Sequence, residues 1–114
     1  MVADDDLPIL EVIRIILDEG GYKVITTSNG AAVEKIIKSD HPDLVILDVW
    51  MSGTDGREVA KKLKSQKETQ NIPIIIVSAL RETRKIAAEI GADDFLEKPF
   101  DISDLLKIVN KNTS

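Results

Sequence analysis

Leu44-Val45-Ile46-Leu47-Asp48 decides the fold. Its four apolar residues follow a His41-Pro42-Asp43 break and precede a loop, Val49 to Gly56, that carries two glycines. An unbroken apolar run with β-branched members predicts a strand buried on both faces, as in parallel sheets. The run ends in a carboxylate. At the carboxyl edge of such a sheet, α/β proteins hold their ligands. Asp48 is therefore a candidate site residue, with a plain solvated aspartate as the alternative.

Helices and strands alternate on both sides of this stretch. Upstream, Leu7 to Glu19 reads as a helix, with Asp6 as its cap and Pro8 just inside. Ile9, Val12, Ile13, Ile16 and Leu17 form its apolar stripe, which Leu10 and Ile15 widen beyond one sheet contact. Gly20-Gly21 ends it, Tyr22 to Thr27 reads as a strand, and Ala31 to Ser39 as a second helix. Downstream, a helix from Gly56 to about Lys67 turns Val59, Ala60 and Leu63 inward. Its Arg57, Lys61, Lys62, Lys64 and Lys67 make a basic face, read as solvated. Ile72 to Val77 is the next strand and runs into Ser78-Ala79. Arg81 to Ile90 reads as a helix, Asp94 to Glu97 as a short strand, and a last helix opens at Asp101 or Ser103. Only Met1-Val2-Ala3 remain for a first strand ahead of Asp4-Asp5-Asp6.

Composition removes several function classes. The 114 residues suggest one domain, 1–114, with no effector domain attached. The net charge of −5 argues against nucleic acid or an anionic membrane as a direct partner. There is no cysteine and one histidine, so thiolate and histidine-cluster metal sites are excluded. No apolar run is long enough for a membrane span, and the acidic start is unlike a signal peptide. A cytoplasmic location is expected.

Five alternations of strand and helix predict a parallel sheet with helices on both faces. All strand ends then share one rim. Asp4 and Asp5, Asp48, Ser78 and Lys98 meet there from distant parts of the chain. Three carboxylates without histidine or cysteine suit a hard cation, and Mg²⁺ is the usual choice beside phosphate. An aspartate there can attack phosphorus and form an acyl phosphate. Lys98 would neutralise phosphoryl charge, and the Ser78 hydroxyl would donate to a phosphoryl oxygen.

The sequence resembles the receiver domains of two-component response regulators, of the chemotaxis-regulator type. The resemblance rests on Val2 to Asp6, Leu44 to Asp48 with Gly53-Thr54-Asp55-Gly56, Ile74 to Ala79, Gly91 to Phe95, and Lys98-Pro99-Phe100. It implies a flavodoxin-like (βα)5 fold, a five-stranded parallel sheet of order 2-1-3-4-5, here with an unusually short first strand. It implies Asp48 as phosphoacceptor, with Ser78 and Lys98 assisting. Mg²⁺ would be held by Asp5, by Asp4 through water, by Asp48 and by the backbone carbonyl of Trp50. Ser78 and Phe95 would be the switch pair, acting on the face of the fourth helix, fifth strand and fifth helix. The donor would be a sensor histidine kinase or a histidine phosphotransfer protein. The wide apolar stripe of the first helix allows two readings: Ile9 and Leu10 meet the donor's helices, or Leu10 and Ile15 pack on the fifth helix or loops. The downstream target, or a fused effector, is not specified. Ser52 stands where proline is usual, which predicts a mobile loop. Trp50 and Leu80 flank the approach of hydrolytic water, which predicts a long-lived phosphoryl adduct. Two other functions fit the same fold: a pseudo-receiver that only binds protein, and an aspartyl phosphohydrolase. The second would need an acid at position 50, where tryptophan stands.

Overall fold

The computed structural model describes residues 1–51, 53–79 and 82–113. Five parallel strands form one sheet: β1 (Val2–Ala3), β2 (Thr26–Thr27), β3 (Val45–Asp48), β4 (Ile74–Ser78) and β5 (Asp94–Glu97), in the order β2-β1-β3-β4-β5. The helices are α1 (Leu7–Glu19), α2 (Val33–Asp40), α3 (Gly56–Ser65), α4 (Thr83–Ile90) and α5 (Ile102–Thr113). This is the doubly wound sheet expected from the sequence.

Alternation along the strands sorts the core into two layers. Ala3, Val45, Leu47, Ile74 and Ile76 pack with Val33 and Ile37 of α2, Ala60 and Leu63 of α3, and Ile86 and Ile90 of α4. Val2, Ile46, Ile75, Val77 and Leu96 pack with Leu10, Ile13 and Leu17 of α1 and Leu105 and Val109 of α5. β3 and β4 are buried on both faces because both layers cover them.

Several boundaries differ from those read in the sequence. β2 covers only Thr26–Thr27 rather than Tyr22 to Thr27. It is an edge strand, and its one partner supplies just Val2 and Ala3 for the ladder. Beside β1 lies a cleft of about 670 Å³, lined by Val2, Val24 and Leu44 on its apolar side and by Lys23, Asp40, Asp43 and Asn112 on its polar side. The first turn of the second helix is a 3₁₀ turn, Gly30–Ala32, capped by Asn29. α3 ends at Ser65, and β4 starts after Pro73, whose carbonyl accepts from the Val45 N–H at 2.9 Å.

Several side chains of the apolar and basic faces sit elsewhere than their periodicity suggests. Leu10 is a core residue of α1, whereas Val12 and Ile15 are exposed. Leu10 therefore cannot meet a partner protein. Lys64 is drawn off the solvated face: its Nζ donates to the carbonyls of Gln70 and Ile72 and to Asp93 Oδ2 at 2.7 Å. It ties α3 to the turns around β4. Ser52, Leu80 and Arg81 lie outside the described residues, and with them the expectations of a mobile loop at Ser52, of shielding by Leu80 and of a helix starting at Arg81.

Candidate functional site

Each site residue is delivered by the end of a strand. Asp4 follows β1, and its N–H donates to the Thr27 carbonyl at 3.2 Å, so pairing with the β2 side fixes it. Asp5 comes next, and Asp6 caps α1 by accepting from the Ile9 N–H at 3.3 Å. Of the three leading aspartates, only Asp6 is used as the cap. Asp48 closes β3 in register with Val77 of β4, and Ser78 closes β4 in register with Glu97 of β5. Lys98 follows β5, and its N–H donates to the Ser78 carbonyl at 2.8 Å. Backbone ladders thus hold the acidic cluster, the hydroxyl and the ammonium at one rim.

The three carboxylates come together as expected. One oxygen from each of Asp4, Asp5 and Asp48 lies within 4.8 Å of the others. Asp4 is 2% exposed and Asp48 8%. Asp4 is committed on both oxygens: Oδ1 accepts from the Asp6 N–H at 2.9 Å, and Oδ2 from Lys98 Nζ at 3.0 Å. Lys98 stands farther from Asp48, at 3.6 Å.

Electrostatics follow from that crowding. Burial, together with the adjacent Asp4 charge and a hydrogen bond to it, raises the Asp48 pKa to about 6. Lys98 and a hydrogen bond from the Trp50 N–H pull the other way and only partly offset the rise. For Lys98, burial works against the charged form, but Asp4 and Asp48 outweigh it and its pKa is raised. One ammonium faces a cluster of three carboxylates. Such an all-oxygen set is the donor chemistry of a hard divalent cation, and the residues present fit Mg²⁺.

Residues 49–51 and 53–56, after Asp48, are tied by backbone pairing. Trp50–Met51 pairs with Thr54–Asp55 in a small antiparallel hairpin. Val49 N–H still donates to the Val77 carbonyl at 3.0 Å, and Gly56 N–H donates to the Val49 carbonyl at 2.6 Å. A Cβ on Gly56 would sit 2.1 Å from the Asp48 carbonyl oxygen, so only glycine lets α3 start this close to the acceptor strand. The helix begins at Gly56, as its sequence suggests, but the need for glycine there lies in this close approach. Asp55 caps α3 and is gripped by the Arg57 guanidinium at 3.0 and 2.9 Å. Trp50 itself is 61% exposed.

The switch candidates lie behind the site. Ser78 is buried, at 2% exposure. Phe95 is half-buried on β5, opposite Ile76 of β4.

Comparison with known proteins agrees with this geometry. The chain is 38% identical over 118 residues to the phosphate regulon transcriptional regulatory protein PhoB of Pseudomonas aeruginosa, covering 99% of this chain and 52% of that protein. It is 38% identical over 102 residues to the alkaline phosphatase synthesis transcriptional regulatory protein PhoP of Bacillus subtilis, covering 88% and 42%. The chain spans about half the length of the curated relatives it matches. A response regulator from Chloroflexus aurantiacus superposes with a TM-score of 0.93 at 28% identity, covering 98% of this chain and 93% of the other. The BeF3-activated receiver domain of RstA from Klebsiella pneumoniae superposes with a TM-score of 0.89 at 25% identity, covering 98% and 95%. The model of the response regulator receiver domain matches residues 1–110, and the chain belongs to that family.

Proposed function

We propose that this phosphorylation-switched signalling receiver takes its phosphoryl group on Asp48, from a phosphohistidine, in a Mg²⁺-dependent reaction. The observation that carries this reading is the convergence of Asp4, Asp5 and Asp48 around one point, with Lys98 already 3.6 Å from the acceptor. An Asp48 oxygen attacks phosphorus in line, and the phosphorus–nitrogen bond breaks. Its electron pair returns to the imidazole. Asp5, Asp48 and the Trp50 carbonyl would hold the cation directly, and Asp4 indirectly, since both Asp4 oxygens are engaged. Bound there, Mg²⁺ would neutralise part of the phosphoryl charge. Lys98 leaves Asp4 for a phosphoryl oxygen, and Ser78 swings its hydroxyl to another.

The displacement of Ser78 is what signals. It vacates space beside β5, Phe95 turns inward, and the face of α4, β5 and α5 changes shape. The donor is a sensor histidine kinase or histidine phosphotransfer protein in the cytoplasm. Its helices dock on the apolar hollow of about 450 Å³ formed by Pro8, Ile9, Val12, Ala79, Pro99 and Phe100, which borders Lys98. Slow autodephosphorylation resets the switch.

Beryllofluoride, a phosphoryl mimic, tests the reading. Added with Mg²⁺, it should change Trp50 fluorescence and shift the amides of Ser78 and Phe95. Asp48→Asn should abolish both responses. A wild-type protein that shows no Asp48-dependent change would instead be a binding-only module.

A further inference from the structure

The turn after β2 joins the two segments that carry the acidic site. Thr27 ends β2, and its carbonyl accepts from the Asp4 N–H at 3.2 Å. Its hydroxyl accepts from the Asn29 N–H at 3.1 Å, and the Asn29 carboxamide oxygen accepts from the Ala31 N–H at 3.0 Å. These bonds lead the chain into Gly30, which is buried at the start of the 3₁₀ turn. Gly30 lies directly on the hairpin that follows Asp48. A Cβ added to it would sit 2.6 Å from Thr54 Cβ and 2.7 Å from Thr54 Cγ2. Its φ is not left-handed, so space and not conformation calls for glycine here. Thr54 pairs with Met51, and Asp55 with Trp50. The Trp50 N–H donates to the Asp48 carboxylate. Contacts thus run from Asp4 through Thr27, Gly30 and Thr54 to Trp50 and Asp48, and the pairing of Ala3 with Leu47 closes the ring.

We propose that Gly30 and Thr54 are positioning residues for the cation: their contact braces the hairpin and so holds the Trp50 carbonyl in place relative to Asp5 and Asp48. The proposal rests on those three groups being the ligands of Mg²⁺. Mg²⁺ demands near-ideal octahedral geometry with oxygens at about 2.0–2.1 Å, whereas Ca²⁺ takes oxygens at about 2.3–2.6 Å in irregular sets. Carbon atoms in contact rest about 3.5–4.0 Å apart. A methyl on Gly30 must therefore push the turn and the hairpin apart by about 1 Å. Whichever yields, a residue of the site moves with it: Asp4 through Thr27, or Trp50 through Thr54. A displacement of that size spoils a site for Mg²⁺ and leaves one for Ca²⁺ largely usable.

The test measures Mg²⁺ and Ca²⁺ affinities of the intact chain by calorimetric titration, with circular dichroism to show that each variant is folded. The readout is the ratio of the two affinities, which cancels any loss of folded protein common to both. Gly30→Ala should weaken Mg²⁺ binding about tenfold, the lower end of what outer-shell support of a metal ligand is worth. Ca²⁺ binding should fall much less. Thr54→Gly leaves a gap in place of a clash, so it tests the brace without overpacking and should shift the ratio the same way. Gly30→Ala combined with Thr54→Gly moves the bulk across the same contact and should recover most of the Mg²⁺ affinity. An unchanged ratio in both single variants, or a double variant no better than the worse single one, overturns the proposal. Absence of Mg²⁺ binding by the wild type, or binding that survives Asp5→Ala undiminished, would overturn the cation assignment instead.

Discussion

Removing the charge of Asp48 should stabilise the metal-free protein at neutral pH. Burial and Asp4 lift the Asp48 pKa from 3.8 to about 6. An acid that is weaker folded than unfolded opposes folding once it ionises. Its penalty is absent below pH 3.8, grows as pH rises toward 6, and is complete above that. At about 1.4 kcal/mol per pKa unit the shift corresponds to about 3 kcal/mol. The rim is open to water, which screens part of this, and about 1–2 kcal/mol is the expected gain for Asp48→Asn. Asparagine keeps the shape and still accepts from the Trp50 N–H. Urea denaturation in chelator, at about pH 7.5 and about pH 4.5, measures the effect. The variant should be more stable at the higher pH, and the difference should shrink at the lower. Saturating Mg²⁺ should narrow it too, by stabilising the wild type. Equal stability of variant and wild type at both pH values, or a less stable variant at the higher, would refute the reasoning.

Three further outcomes are expected. Gly56→Ala drives a Cβ to 2.1 Å from the Asp48 carbonyl and should cost about 1–3 kcal/mol in urea denaturation, with slower phosphorylation. Extending the chain upstream of Met1 by three β-branched apolar residues should fill part of the cleft beside β1. Alternate added side chains face opposite sides of the sheet, so burial at about 1.5–3 kcal/mol for each one that enters the cleft, less about 1–2 kcal/mol per residue for ordering, predicts a small gain of about 1 kcal/mol and a higher melting point. Val12→Glu, at the exposed rim of the α1 hollow, should slow transfer from a phosphorylated donor protein more than from acetyl phosphate. Equal slowing by both routes would point to a folding defect.

Much of this was legible in the chain because strand ends are marked by chemistry. Asp48 and Ser78 each end an apolar run, Lys98 follows the short strand Asp94–Glu97, and parallel pairing brings all three to one rim. Periodicity gave α1 its limits, Leu7 to Glu19, because Asp6, Pro8 and Gly20 punctuate it. It failed where long-range partners decide. The extent of β2 depends on how much of β1 exists to pair with it, and no local signal in Tyr22 to Ile25 reports that. Lys64 has the spacing of a solvated lysine, yet carbonyls and Asp93 from later in the chain capture it. Leu10 reads as excess apolar surface on a helical wheel, but α1 packs against both the sheet and α5 and buries it. The role of Gly56 was hidden for the same reason: a close approach to the Asp48 carbonyl is a property of the folded backbone.

The acceptor assignment is tested most directly by locating the phosphoryl group. Protein treated with acetyl phosphate and Mg²⁺ is reduced with borohydride, which converts an aspartyl phosphate to homoserine, and the peptides are sequenced by mass spectrometry. Homoserine at position 48, and its loss in Asp48→Asn or on chelation of Mg²⁺, is the predicted result. Homoserine at Asp4 or Asp5 with Asp48 intact, or undiminished labelling of Asp48→Asn, would contradict the account.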